Sequence, residues 1–277
     1  MNPLRPFLMV LLALACLIGA PRAQGPQPYR ILLTNDDGVR APGILAVAQA
    51  LGPIGEVTVV APNENQSAKS HALSITDPVY VDAVELPGGL KATSLTATPA
   101  SCVKVALASL LASRPDLVVS GINRGYNLGM VAYVSGTVGA AREAALQGIP
   151  AIASSLALGG HPNYGPAAEM TARLARLVRE RGLPPGTFLN LNVPAGPLEA
   201  IKGLRLATQS TLGGVERFEE RKTPGGRRYF WNIYDEPTAD REGTDVWAAS
   251  QGYAAVTPLR IGEFDAKTFE GWKELRK

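Results

Sequence analysis

The sequence predicts an α/β fold in three layers, with helices on both faces of a mostly parallel sheet and a C-terminal β-hairpin or arm projecting from it. Three observations carry that expectation. Short, predominantly apolar runs recur at Ile31-Leu32-Leu33, Val57-Thr58-Val59-Val60 and Leu117-Val118-Val119, with the length and composition of strands buried on both faces. The chain between them is long enough for the crossovers that a right-handed parallel arrangement needs. Each run also ends in a polar tip, at Asp36-Asp37-Gly38, at residues 61–67 and at residues 120–127. In a parallel sheet these tips share one edge, which is where such sheets bind ligands.

The elements follow in order. Arg5 precedes the apolar run 7–20, which is short for a bilayer span and has the form of a signal-peptide core, with Ala23 as a small residue for cleavage. The expectation is a signal peptide over residues 1–23, an exported (periplasmic or secreted) catalytic domain over residues 24–277, and no stable membrane span after cleavage. Losing Arg5 and Arg22 would lower the net charge from +3 to +1, which argues against binding to a nucleic-acid polymer. Cys102 would then be the only cysteine, so no internal disulfide is expected, and its apolar helical setting reads as a buried structural thiol.

After the first strand, a helix is expected from Pro42, with Ile44, Leu45, Val47, Ala48 and Leu51 on one face. Thr98-Pro99, a cap followed by a first-turn proline, opens a second helix to residue 110 or 111. Ser135 caps a third, which runs to Leu146, stops at Gly148 and leads into a strand over residues 151–154. Residues 166–181 form an amphipathic helix, followed by strands at 188–193 and 204–207. The charged, aromatic stretch 213–245 reads as a hairpin or arm containing one strand at 228–234, and residues 264–277 suit a terminal helix.

The chemistry concentrates at the strand tips. An isolated Asp-Asp-Gly reads as a turn that caps the next helix. Two further polar tips on the same edge change that reading, because Asp36, Asp37, the Ser67 hydroxyl and the Asn123 amide oxygen form an oxygen-rich set. Adjacent carboxylates repel unless a proton, a cation or a basic partner holds them. Oxygen donors select magnesium, manganese or calcium. With only His71 and His161 in the chain and no nucleophile-elbow pattern beside either, a serine–histidine–acid triad is not supported, and a histidine-rich zinc site is excluded by count. His71 reads as a surface loop residue near the cleft.

The ordered motifs resemble the SurE family of metal-dependent phosphomonoesterases. They are residues 31–39 with Ala41-Pro42-Gly43-Ile44, Ala61-Pro62 through Ser67, Thr98-Pro99 with Cys102-Val103, and Val119-Ser120-Gly121-Ile122-Asn123 with Asn127-Leu128-Gly129. Ser135-Gly136-Thr137-Val138, Leu191-Asn192-Val193-Pro194, Gly243-Thr244-Asp245 and Gly252-Tyr253 with Thr257-Pro258-Leu259 complete the set. The resemblance implies a Rossmann-like sheet, one divalent ion per subunit on Asp36, Asp37, Ser67 and Asn123, and an arm that exchanges between subunits of a homodimer or homotetramer. It also implies a cytoplasmic setting, from which the signal-like segment departs. Met130-Val131-Ala132 replaces the acidic pair usual after Asn-Leu-Gly, Tyr133 is displaced by one position, and Ser101 stands in place of an aspartate.

The expected function is hydrolysis of nucleoside 5′-monophosphates, with 3′-monophosphates as additional candidate substrates, in the manner of a 5′-nucleotidase with acid-phosphatase character. Asp36 and Asp37 would be catalytic through a magnesium or manganese ion, with calcium as a non-catalytic occupant. The free N–H groups and positive dipole end at Ser135-Gly136-Thr137, together with Asn127, would hold phosphate oxygens. Adjacent Asp36-Asp37 does not match the Asp-x-Asp of phosphoaspartate enzymes, so direct attack by water is expected. A nicotinamide-dependent oxidoreductase is disfavoured, because these carboxylates would face a pyrophosphate. The remaining rival is an exported phospho-ligand or calcium-binding protein without turnover.

Overall fold

The structure, a computed structural model, describes residues 28–160 and 162–276. The expected α/β architecture is present. The chain runs β1 (Arg30–Thr34), α1 (Pro42–Leu51), β2 (Glu56–Pro62), β3 (Val81–Leu86), β4 (Leu90–Leu95), α2 (Pro99–Val105), β5 (Leu117–Arg124), α3 (Gly136–Leu146) and β6 (Ala151–Leu156). It continues through α4 (Gly165–Arg181), β7 (Thr187–Val193), β8 (Leu204–Leu206), β9 (Val215–Lys222), β10 (Arg228–Asp235), α5 (Asp245–Ser250), β11 (Ala254–Arg260) and α6 (Ala266–Gly271).

Nine strands form one sheet in the order β3-β4-β2-β1-β5-β6-β7-β11-β8, and β9 with β10 form a separate antiparallel ribbon. The six strands from β4 to β7 are mutually parallel, whereas β3 pairs antiparallel with β4 and β11 antiparallel with β7, and β8 runs parallel to β11. From β1 the chain builds outward to β2 on one side, then returns to lay β5 on the other. The carboxyl ends of β1 and β5 therefore flank a topological switch point, where the sheet leaves a crevice.

Side-chain alternation on β1 sorts the core into two layers. Ile31 and Leu33 pack with α1 and α4, joining Ile44, Val47, Met170 and Leu174. Leu32 points to the other face, with Cys102 and Val103 of α2 and Val138 and Ala141 of α3. Cys102 is fully buried, as expected of a structural thiol, and burial pushes its pKa up.

Several boundaries differ from expectation. β5 continues past Val119 through Asn123, with a register shift against β6 between Ser120 and Asn123, so Asn123 belongs to an irregular strand end rather than to a loop. The arm holds two strands. β9 was not recognisable because its sequence, Val-Glu-Arg-Phe-Glu-Glu-Arg-Lys, is exposed along its whole length and carries no core-facing alternation. Strands β3, β4 and β11 and helix α5 were also missed. The C-terminal helix is confined to α6 and a 3-10 turn at Lys273–Arg276. The proposed signal segment lies outside the described residues, among which no helix is long and apolar enough to cross a membrane.

Candidate metal and phosphate site

The carboxylate pair is set by a side-chain turn. Asn35, fully buried, donates from Nδ2 to the Gly38 carbonyl at 2.8 Å and accepts the Gly38 N–H at Oδ1 over 3.2 Å. This closure of an Asn onto the backbone three residues on holds Asp36 and Asp37 between its ends. Asp36 is 3% exposed. Its Oδ1 accepts the Thr137 hydroxyl at 2.5 Å, and its Oδ2 accepts the Thr137 N–H at 3.1 Å. Asp37 accepts the Arg124 backbone N–H at 3.1 Å, which ties the β1 tip to the end of β5.

The other candidates gather around this pair. Gln66 N–H donates to the Asp36 carbonyl at 2.7 Å, bringing the loop after β2 against the β1 tip one residue before Ser67. Ser67 is exposed, and its N–H is taken by Asn65 Oδ1 at 2.9 Å. Asn123 donates its side-chain N–H to the Gly125 carbonyl at 2.8 Å, which leaves its amide oxygen as the atom available to a cation.

Electrostatics at the pair fit a hard divalent cation. Burial raises the Asp36 carboxyl to about 6, the Asp37 charge pushes the same way, and the Thr137 hydroxyl opposes it. Asp37 is also raised by burial, against the Arg124 N–H and charge. Among the described residues neither carboxylate forms a salt bridge. Neutral donors do not fully compensate a buried carboxylate beside a half-buried one. No group of three or more His, Cys, Asp and Glu side chains that could hold a metal occurs among the described residues. An ion here would complete its shell from neutral oxygens, the donor set of magnesium, manganese or calcium rather than zinc.

The structure redistributes the expected phosphate contacts. Thr137 spends both its hydroxyl and its N–H on Asp36, so it positions a carboxylate rather than offering a free donor. Ser135 caps α3, accepting the Val138 N–H at 3.2 Å. Among the described residues, the N–H groups of Ser135 and Gly136 have no hydrogen-bond acceptor, and they are the donors left at this helix end. Gly136 is also closely surrounded by the carboxylate it neighbours. A Cβ there would fall 3.0 Å from Asp36 Cβ, 3.1 Å from Asp36 Oδ2 and 3.2 Å from the Gln66 carbonyl. Asn127 is 5% exposed and committed elsewhere, its side-chain N–H donating to Ser155 Oγ at 2.8 Å. Its backbone N–H donates to Asn192 Oδ1 at 2.7 Å, and its carbonyl accepts Asn190 Nδ2 at 2.8 Å. A buried amide must find partners, and these ones lock the tips of β6 and β7 beside the site.

Asn35, Asn190, Asn192 and Ser155 were missed as site-building residues. Asn190-Leu191-Asn192 did carry a signal, since alternation on a strand puts both amides on one face. His71, expected as a surface residue, instead hydrogen-bonds Glu143 at 2.8 Å. Glu143 is 3% exposed. Burial works to raise its carboxyl, but the bonds from His71, Gln147 and Lys104 and the Lys104 charge hold it down at about 2. The pair anchors the segment after Ser67 to α3.

Comparison with known proteins agrees with this arrangement. The family model described as "Survival protein SurE" matches residues 31–213. The chain is 49% identical over 233 residues to the 5′-nucleotidase SurE of Geobacter sulfurreducens, covering 83% of this chain and 87% of that protein. It is 45% identical over 234 residues to the 5′-nucleotidase SurE of Geotalea daltonii, covering 84% and 93%. The crystal structure of SurE from Aquifex aeolicus superposes with a TM-score of 0.79 at 36% identity, covering 90% of this chain and all of that one. These matches overturn the expectation of export: the relatives are 5′-nucleotidases SurE, members of the family whose resemblance implied a cytoplasmic setting. With the fold, the switch-point carboxylates and these relatives in agreement, this chain belongs to the survival protein SurE family.

Proposed function

We propose that this chain is a metal-dependent phosphomonoesterase that hydrolyses nucleoside 5′-monophosphates to nucleoside and phosphate, with one magnesium or manganese ion per subunit. The observation that carries the reading is the Asp36–Asp37 pair at the switch point, Asp36 buried and Asp37 half-buried, held by neutral donors with no salt bridge among the described residues and opposed only by the Arg124 charge. The names of the relatives, 5′-nucleotidase, support the substrate class.

In this reading Asp36, Asp37, the Ser67 hydroxyl and the Asn123 amide oxygen hold the ion. Bound there, a divalent cation neutralises charge on the phosphoryl oxygens and acidifies a water. Thr137 fixes the Asp36 carboxylate through two bonds, which supports a ligand role for it over that of a free nucleophile and favours direct attack by water. The Ser135 and Gly136 N–H groups, at the positive end of α3, receive phosphate oxygens. Asn127 holds the neighbouring strand tips in register rather than binding phosphate. The catalytic unit is the nine-stranded domain, and the β9–β10 arm, with Phe218, Phe230 and Trp231 exposed, joins subunits into a homodimer or homotetramer.

Phosphate release from a nucleoside 5′-monophosphate tests the reading. Activity is expected with manganese or magnesium, abolished by a chelator and restored by added metal. A protein that binds metal and nucleotide yet releases no phosphate would refute it.

A further inference from the structure

A cavity of about 480 Å³ lies between residues 130–134 and the base of the arm, and the reading above leaves it without a role. Its rim includes Ala68, next to Ser67 in the chain, and Val134, next to Ser135, so it borders both segments assigned to metal and phosphate. One wall is apolar, built from Met130, Val131 and Val134. The facing material is the base of the arm, which contributes Glu216, Asn232 and Tyr234. Glu216 and Tyr234 are direct cross-strand partners, and Asn232 stands two residues before Tyr234, so strand alternation puts all three on one face of the ribbon.

The walls are preformed, as small-molecule sites usually are. Asp245, fully buried, accepts the Gly129 N–H and the Ser210 N–H, each at 2.9 Å. Met130 N–H donates to the Leu212 carbonyl at 2.9 Å, which closes the same junction. Gly214 has φ +45, and a Cβ there would fall 2.4 Å from the Tyr234 ring, so the ring packs directly on bare backbone. Met130 and Val134 are nevertheless 44% and 54% exposed. Large apolar side chains left open beside a polar site mark a binding surface.

We propose that this cavity seats the base of the nucleotide, with Tyr234 as its stacking face and Met130, Val131 and Val134 as its apolar wall. The proposal rests on the nucleotidase reading and names the part of the substrate that reading leaves unplaced. The volume falls within the roughly 300–1,000 Å³ of small-molecule sites. Stacking on an aromatic ring accepts any base. The polar groups discriminate, because the Glu216 carboxylate only accepts hydrogen bonds and the Asn232 amide both accepts and donates. A base that presents adjacent N–H donors on one edge, as guanine does, is the best match.

The test compares 5′-GMP, 5′-AMP and base-free ribose 5-phosphate on the full-length protein with saturating manganese, alongside calorimetric binding of guanosine, which needs no turnover. Tyr234→Ala is expected to raise KM for GMP and AMP roughly 5- to 150-fold, the range seen when a stacking aromatic is truncated. Its kcat/KM for ribose 5-phosphate should stay unchanged, and Tyr234→Phe should retain nucleotide KM. Glu216→Gln should reduce the preference for GMP over AMP. An equal loss on ribose 5-phosphate, or no loss on GMP, would overturn the proposal. If no substrate releases phosphate, the nucleotidase reading fails separately. Guanosine binding that Tyr234→Ala removes would then still support the base seat, and its absence in the unaltered protein would overturn it.

Discussion

Thr137→Val isolates the contact on which the metal site depends most. The side chain is fully buried, its hydroxyl lies 2.5 Å from Asp36 Oδ1, and valine preserves its shape while deleting the donor. A hydrogen bond to a charged group contributes about 1.5–3 kcal/mol. Loss of a group that orients a metal ligand typically costs about 10–100-fold in metal affinity. Those scales agree, since tenfold is about 1.4 kcal/mol. The backbone N–H of residue 137 still reaches Asp36 Oδ2, so one of the two restraints survives. Removing the hydroxyl also removes an influence that lowers the Asp36 pKa, so the variant's carboxyl should titrate above about 6. Protons then compete better with the metal, and the affinity deficit should shrink between pH 7 and pH 8.5. Manganese titration by calorimetry at both pH values, with nucleotide hydrolysis at saturating metal, checks each step. Thr137→Ser should behave nearly as the unaltered protein. Unchanged manganese affinity in Thr137→Val would refute the reasoning, and a kcat loss at full metal occupancy would return Thr137 to substrate binding.

Three further outcomes follow from the same geometry. Gly136→Ala should weaken manganese binding and kcat/KM together, since its Cβ would crowd Asp36 at 3.0 Å and the Gln66 carbonyl at 3.2 Å; calorimetry showing normal metal affinity would count against it. In chelator, the raised pKa of Asp36 means that its stabilising contribution is present below pH 3.8 and lost as pH rises to about 6, a change on the order of 3 kcal/mol. Metal-free Asp36→Asn should therefore show a higher Tm than the unaltered apoprotein at pH 7.5, while losing turnover at any metal concentration. Glu143 has the opposite sign: its stabilisation is present above pH 4.5 and lost as pH falls to about 2, so Glu143→Gln should flatten the acid limb of a Tm-against-pH curve.

What the sequence determined by itself was local and periodic. Ile31-Leu32-Leu33 and Leu117-Val118-Val119 are apolar on both faces, so they had to lie inside a sheet, and the connections between them implied parallel order. That much brought Asp36, Asp37 and Asn123 to one edge. The caps at Thr98 and Ser135 were equally legible, because an N-cap is read from the few residues around it. The exposed strand β9 was not, since without a core face its residues follow no alternation that separates them from a charged loop. Tertiary structure alone decided the partners of each polar group. Asp36 and Thr137 stand 101 positions apart, and Asn127 and Asn192 stand 65 apart. No periodicity reports such pairings, which arise only when a buried polar atom must find a donor or acceptor within reach. That requirement pairs Thr137 with Asp36, and Asn127 with Ser155, Asn190 and Asn192.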